Sequence, residues 1–119
     1  MAQFRFENLD IWKMAIEISD KLFDIADELE KLKRFRFADQ LFGAGMSMSN
    51  NISEGSGSYS NKDFANFLKF SRRSVFECAN IVIIVERRGM ITHELKEELL
   101  GKLEHLSRKI TNFRKSLLK

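Results

Sequence analysis

At 119 residues, with 44% apolar and 31% charged side chains, the chain is sized for one domain around one hydrophobic core. It has no proline, which favours long helices joined by short connections, and one cysteine, Cys78, which excludes an intrachain disulfide. No stretch approaches the ~20 apolar residues of a membrane span, and the opening MAQFRFENLD lacks the basic-then-apolar order of a secretory signal, so a cytoplasmic protein is expected.

The formal charge of +3 is unevenly spread. Residues 1–59 carry seven Lys/Arg against ten Asp/Glu, whereas residues 60–119 carry thirteen against seven. The last twelve residues, RKITNFRKSLLK, hold five basic groups and no acidic one. Such an end attracts phosphate backbones; equally, cations suit the negative end of a helix dipole.

The first helix is predicted from about Asn8 to Leu32. Ile11, Ala15, Ile18, Leu22, Ile25, Leu29 and Leu32 recur at alternating four- and three-residue intervals, the seam of a bundle helix. Trp12, Ile16, Phe23 and Ala26 widen that stripe, while Glu17, Asp20, Lys21, Asp24, Asp27 and Glu28 form a solvated, mainly acidic face. Lys31, Lys33, Arg34 and Arg36 close the helix and lead into the second, read from about Phe37 to Glu54.

Helix two presents Ala38, Leu41, Gly45, Met48 and Ile52 on one face and is rich in small residues. Gly43 and Gly45 each cost roughly 1 kcal/mol against alanine in a helix, so a close approach to a neighbouring helix is expected. Gly55-Ser56-Gly57-Ser58 ends the element, glycine being suited to a left-handed helix terminus.

Helix three opens at Ser60-Asn61-Lys62-Asp63, with Ser60 as N-cap and Asp63 as its reciprocal partner. Phe64, Phe67/Leu68, Ser71, Val75, Cys78, Val82 and Val85 form its core stripe. The run Ile81-Val82-Ile83-Ile84-Val85 is apolar all round. One bundle core covers only one side of such a helix, which points to a subunit interface. Gly89 stops helix three and Thr92 caps helix four, whose stripe is Leu99, Leu103, Leu106, Ile110, Phe113 and Leu117. The fold class is therefore all-α: an antiparallel up-down-up-down four-helix bundle spanning residues 1–119 as a single domain.

Catalytic and cofactor patterns are absent. Di-iron bundles need paired Glu-x-x-His motifs, but Met90 and Lys102 stand three residues before His93 and His105. His93 and Glu97, one turn apart, read as a surface pair. Cys78 on the apolar stripe reads as a buried structural thiol rather than a nucleophile. Gly55-Ser56-Gly57 lacks the third glycine of a dinucleotide loop, and neither a P-loop nor a nucleophile elbow is present. The chain is expected to be no enzyme, with no cofactor, no metal and no evident small-molecule substrate.

Two polar clusters remain. Asn50, Asn51 and Glu54 end helix two, where their side chains either satisfy orphan backbone groups around the turn or form a partner-binding site. Lys69, Arg72 and Arg73 form a basic turn on helix three beside Phe70 and Phe76. Basic groups interleaved with aromatics bind nucleic acid, although these phenylalanines read first as core or interface. Arg108, Lys109, Arg114 and Lys115 on helix four complete the candidate nucleic-acid-binding set.

Asn51-Ile52-Ser53-Glu54-Gly55, then Ser60-x-Lys62-Asp63-Phe64, Phe67-Leu68, Ser71-Arg72-Arg73-Ser74 and Glu77, resemble a known family. So do Leu9-Asp10-Ile11-Trp12-Lys13 and Gln40-Leu41. The chain is similar, over nearly its whole length, to the four-helix-bundle proteins first noticed in intervening sequences of bacterial 23S ribosomal-RNA genes. That resemblance implies an up-down bundle, commonly a ring-like homopentamer, with a poorly known biochemical role. It also implies a relation to the accessory variability protein of diversity-generating retroelements, which partners a reverse transcriptase and binds nucleic acid through a basic surface. The chain departs from the pattern at Phe42, Gly43 and Ser58, where basic residues are usual, and at Arg73, where glycine is usual.

These readings lead to a non-enzymatic, self-assembling scaffold or adaptor whose partner is itself. The alternative is a nucleic-acid-binding accessory factor serving ribosomal RNA or a reverse transcriptase.

Overall fold

The alternating intervals place one apolar stripe on each of four helices, and a computed structural model describing residues 1–119 packs these stripes together. Helix α1 spans Asp10–Lys31, α2 Phe35–Ser56, α3 Asn61–Arg87 and α4 His93–Leu117. There are no strands, and each helix packs against its sequence neighbours in an all-α up-down-up-down bundle. At 1.5 Å per residue the 27-residue α3 is ~40 Å long, close to the 44 Å long axis of the molecule.

Twenty-four buried apolar residues drawn from all four helices form a single core. Removing a leucine or isoleucine from water is worth about 1.5–3 kcal/mol, against about 1 kcal/mol for a helix cap, so these stripes dominate the fold. The stripe positions on α2 are all buried, as are those on α3 and α4 except the half-buried Phe67 and Phe113. On α1 the stripe holds from Ile11 to Leu29. Leu32 departs from expectation: it lies just past the helix end and is exposed.

Both predicted serine/threonine caps form. Ser60 Oγ accepts from the Asp63 amide and Thr92 Oγ1 from the Leu95 amide, each at 3.1 Å. A 3-10 turn over Arg5–Asn8, which the hydrophobic pattern did not disclose, precedes α1. The Phe4 amide donates to Glu7 Oε2 at 2.7 Å, and the Phe6 ring lies 5.1 Å from Trp12. The turn is thus anchored to the bundle through aromatic contact.

The α2 glycines act differently from expectation. Gly57, at the α2 terminus, keeps right-handed torsions (φ −84°, ψ 0°). The left-handed positions are Lys33 (φ 62°), between α1 and α2, and Gly89 (φ 73°), between α3 and α4. Gly45 does permit close packing, since a Cβ there would lie 3.2 Å from the Phe23 ring. Gly43 faces open space. The closest approach is at Gly55, inside the last turn of α2, where a Cβ would sit 2.7 Å from Phe67 Cβ and 2.9 Å from Phe64 Cδ1.

The fully apolar run at 81–85 divides between two environments. Ile81, Val82 and Val85 enter the chain's own core, while Ile83 and Ile84 remain 39% and 37% exposed. The run is therefore not buried on all sides within this chain.

Candidate functional site

The period of α3 sends Phe64, Leu68, Ser71 and Val75 inward and leaves Lys69, Phe70, Arg72, Arg73 and Phe76 outside. Phe70 is 40% exposed and Phe76 54% exposed, so neither belongs to this chain's core. Their rings hold cations instead. Arg72 Cζ lies 4.7 Å from the Phe76 centroid, and Lys69 Nζ and Arg73 Cζ lie 5.5 and 5.7 Å from that of Phe70. The i,i+3 and i,i+4 spacings of a helix bring Arg73 and Arg72 to these rings, and the ring quadrupole favours a cation over its face. None of the three cations has a carboxylate within ion-pair distance.

Beside Phe76, the groove between α3 and α4 widens into a hollow of about 320 Å³. Val75, Ala79, Leu100 and Leu103 make its apolar lining, and Glu104 and Ser107 bring polar groups to it. Glu104 also pairs with Arg108 one turn on, at 3.3 Å, with both side chains largely exposed. Lys115 follows Arg108 by two turns and shares its face.

The seven cations singled out from sequence do not form one surface. Arg72, stacked on Phe76, and Arg108, paired with Glu104, adjoin the α3–α4 hollow, whereas Lys69 and Arg73 stack on Phe70 on the outer face of α3. Arg114 is half-buried and donates from Nε to the Ala65 carbonyl at 3.1 Å, a bond that ties α4 to the start of α3. Lys109 lines a different hollow, of about 500 Å³, between the starts of α1 and the last turns of α4, with Asn8, Asp10 and Asn112. The acidic side chains Glu17, Asp20, Asp24, Asp27 and Glu28 are all exposed on α1.

The Asn51/Glu54 cluster does not satisfy orphan groups at the turn. Asn51 Nδ2 donates back along its own helix to the Ser47 carbonyl (2.8 Å) and to Ser47 Oγ (3.1 Å), and Ser74 Oγ on α3 donates to the same Ser47 Oγ at 2.7 Å. Asn51 is thus tied indirectly to α3. The Glu54 carboxylate is exposed, has no hydrogen-bond or ion-pair partner within the chain, and edges a hollow with Phe4, Arg5, Phe6 and Gly57. Asn50 is exposed too. The turn is closed by backbone hydrogen bonds, the Gly57 amide to the Glu54 carbonyl and the Ser58 amide to the Gly55 carbonyl, not by these polar side chains.

His93 bridges two carboxylates: Nδ1 is 3.2 Å from Glu86 Oε1 and Nε2 is 3.6 Å from Glu97 Oε1. Lys96 lies 3.3 Å from the same Glu86 oxygen. Hydrogen bonds from His93 and then Lys96 hold the Glu86 carboxyl below its ordinary range. No group of three or more His, Cys, Asp or Glu side chains is placed to hold a metal ion. Cys78 is buried, and desolvation, reinforced by Glu77, pushes its thiol up to about 12. At neutral pH it is a thiol, not the thiolate that nucleophilic chemistry requires.

A family model described as 23S rRNA-intervening sequence protein matches residues 7–112. The chain belongs to that family. Its fold is also that of a solved protein of unknown function from the S23 ribosomal protein family of Bacteroides thetaiotaomicron. That structure superposes with a TM-score of 0.83 at 21% identity, over 88% of this chain and 98% of that one. No functionally curated protein matches.

Within this chain, the Asn51–Gly55 element receives a structural explanation. Gly55 lets the end of α2 lie against Phe64 and Phe67 of α3, and Asn51 braces Ser47, which meets Ser74. Sequence reasoning missed both the role of Gly55 and the hollow beside Phe76. The signal for the first was Gly55 lying in phase with Met48 and Ile52 on the buried face. The second depends on how far apart two helices stand, which neither helix encodes alone. No helix is long and apolar enough to cross a membrane.

Proposed function

We propose that this chain is a non-enzymatic, self-assembling helical bundle acting as a scaffold or adaptor. The observation that supports it is the pair Ile83 and Ile84, 39% and 37% exposed on the outer side of an otherwise core-building run. A helix exposing adjacent isoleucines, two turns beyond an exposed Phe76, suits a protein–protein contact. A second copy is the natural occupant, and the resemblance to pentameric relatives favours five. Light scattering at micromolar concentration tests this. The expected mass is a multiple of 13.9 kDa, and Ile83→Glu/Ile84→Glu should reduce it to the monomer without loss of helical signal. A monomeric unmodified chain overturns the proposal.

A second reading, a nucleic-acid-binding accessory factor, is favoured by the unpaired Lys69, Arg72 and Arg73 of α3. Filter binding across a salt series tests it: phosphate contacts predict affinity falling steeply with salt. Absence of binding at ~50 mM salt, where such contacts are strongest, removes it.

A further inference from the structure

The nucleic-acid reading leaves open what form of nucleic acid the surface accepts, and the α3–α4 groove carries that choice further. We propose that the groove beside Phe76 is a binding site for an unpaired nucleotide of a single-stranded nucleic acid. The base would lie against the Phe76 ring and the adjoining phosphates would lie on Arg72, Arg73 and Arg108. This rests on the second reading above.

Three features select a single strand over a duplex. Exposed phenylalanine is costly on a surface that only tracks phosphates, because a duplex presents its charged backbone and keeps its base faces stacked inside. Phe76 lines this hollow and carries Arg72, and Phe70, also exposed on α3, carries Lys69 and Arg73. A ring face or an arginine plane is a platform for an unstacked base, and base–aromatic stacking tolerates any sequence. The hollow next to Phe76 is small and mainly apolar, so it suits the flat face of one unstacked base and offers nothing to a charged duplex backbone. Its only polar lining groups, Glu104 and Ser107, offer oxygen acceptors suited to the amino edge of a base and poorly suited to phosphate. The cations stand at the rim instead. Arg72 lies one turn before Phe76 and Arg108 one turn after Glu104, and because α3 and α4 run antiparallel the two cations stand at the same end of the hollow, one on each wall.

Electrostatics makes the approach one-sided. The α1 face displays Glu17, Asp20, Asp24, Asp27 and Glu28 to solvent, which repels a polyanion and leaves the α3–α4 side as the attractive one. The Arg108–Glu104 pair does not close the site. Both partners are largely exposed, and such pairs are easily exchanged for others.

The test is fluorescence anisotropy of the intact chain with labelled oligocytidylate RNA of about twelve nucleotides, within the range one small domain covers. A mixed-sequence RNA duplex of equal length is measured alongside, and light scattering is run on the same samples. The single strand should bind at least about tenfold more tightly than the duplex, and Phe76→Leu should lose about tenfold on the single strand alone, as expected for one stacking contact. Arg72→Gln/Arg73→Gln should weaken both forms and flatten the salt dependence. Phe76 is exposed, so Phe76→Leu should melt as the unmodified chain does, and Phe76→Tyr, which keeps an aromatic face, should retain the single-strand binding. Equal binding of duplex and single strand, or a silent Phe76→Leu, overturns the single-strand site while leaving the nucleic-acid reading standing. No binding of either form removes both. A fall to monomer mass in Arg72→Gln/Arg73→Gln assigns the surface to self-assembly and overturns the proposal.

Discussion

The seam between α2 and α3 and the seam between α4 and α1 close the same bundle by opposite means. At the first, the helices meet through small residues and buried hydroxyls: Gly55 lies against Phe64 and Phe67, and Ser71 Oγ donates to the Met48 carbonyl at 2.8 Å. At the second, the backbones approach least of any neighbouring pair. Hollows open at both ends of that seam, and the long Lys21 side chain bridges to Glu98 at 3.0 Å. Close packing of backbone is unforgiving and directional, whereas a surface ion pair is adjustable and screened. The bundle therefore has a rigid side, which sets the position of α3 and its outer cations, and a looser side.

The largest effect expected is at the rigid seam. Gly55→Ala places a methyl 2.7 Å from another Cβ, which no rotamer change relieves. Overpacking should outweigh the improved helix propensity and destabilise the chain by about 1–3 kcal/mol, read as a lowered denaturation midpoint. Gly43→Ala is the matched control. It meets open space, so propensity alone should stabilise the chain by up to ~1 kcal/mol. If both substitutions move stability the same way, the close approach at Gly55 is not what distinguishes the two seams.

Ser71→Ala comes next. The lost bond to Met48 should cost about 1 kcal/mol, typical of a buried intramolecular hydrogen bond, and chemical denaturation measures it. A neutral result would show that this bond adds nothing to the fit of α2 against α3.

The smallest effect lies at the looser seam. The hydrogen bond and charge of Lys21, then the charge of Lys102, hold the Glu98 carboxyl below its ordinary range. A carboxyl with a lowered folded-state value stabilises the fold above its unfolded-state value. That stabilisation disappears as the pH falls through the lowered one. Glu98→Gln should therefore melt slightly below the unmodified chain at neutral pH and low salt, with the gap closing under acid and under high salt. A gap that persists in acid would mean that Glu98 acts through packing. The side chain of Lys102, turned toward Lys21 and partly desolvated, is held below the ordinary lysine range. This crowding of two ammonium groups around one carboxylate is a further reason for the seam's modest contribution.

Much of the bundle was legible in the residues because helix periodicity and capping are local. The stripes on α2, α3 and α4, the Ser60 and Thr92 caps and the buried Cys78 follow from spacing and chemistry within one or two turns. Part of the candidate site was legible in the same way: Lys69, Arg72 and Arg73 share a turn with Phe70 because of their spacing. The sequence also placed the acidic side chains of α1 on one solvated face. Sequence alone did not tell a glycine in open space from one pressed against a neighbour, so Gly43 and Gly45 were read alike and Gly55 was read only as ending the helix. Nor did it show that Glu54 points to solvent rather than capping the turn, or that Ile83 and Ile84 stay outside while Ile81 and Val82 enter the core. It assigned seven cations to one candidate set; Arg114 instead ties α4 to α3, and Lys109 faces the α1–α4 hollow. Each of these depended on where a second helix came to rest. That distance is decided by the packing of all four stripes at once, whereas the helices themselves needed only their own residues.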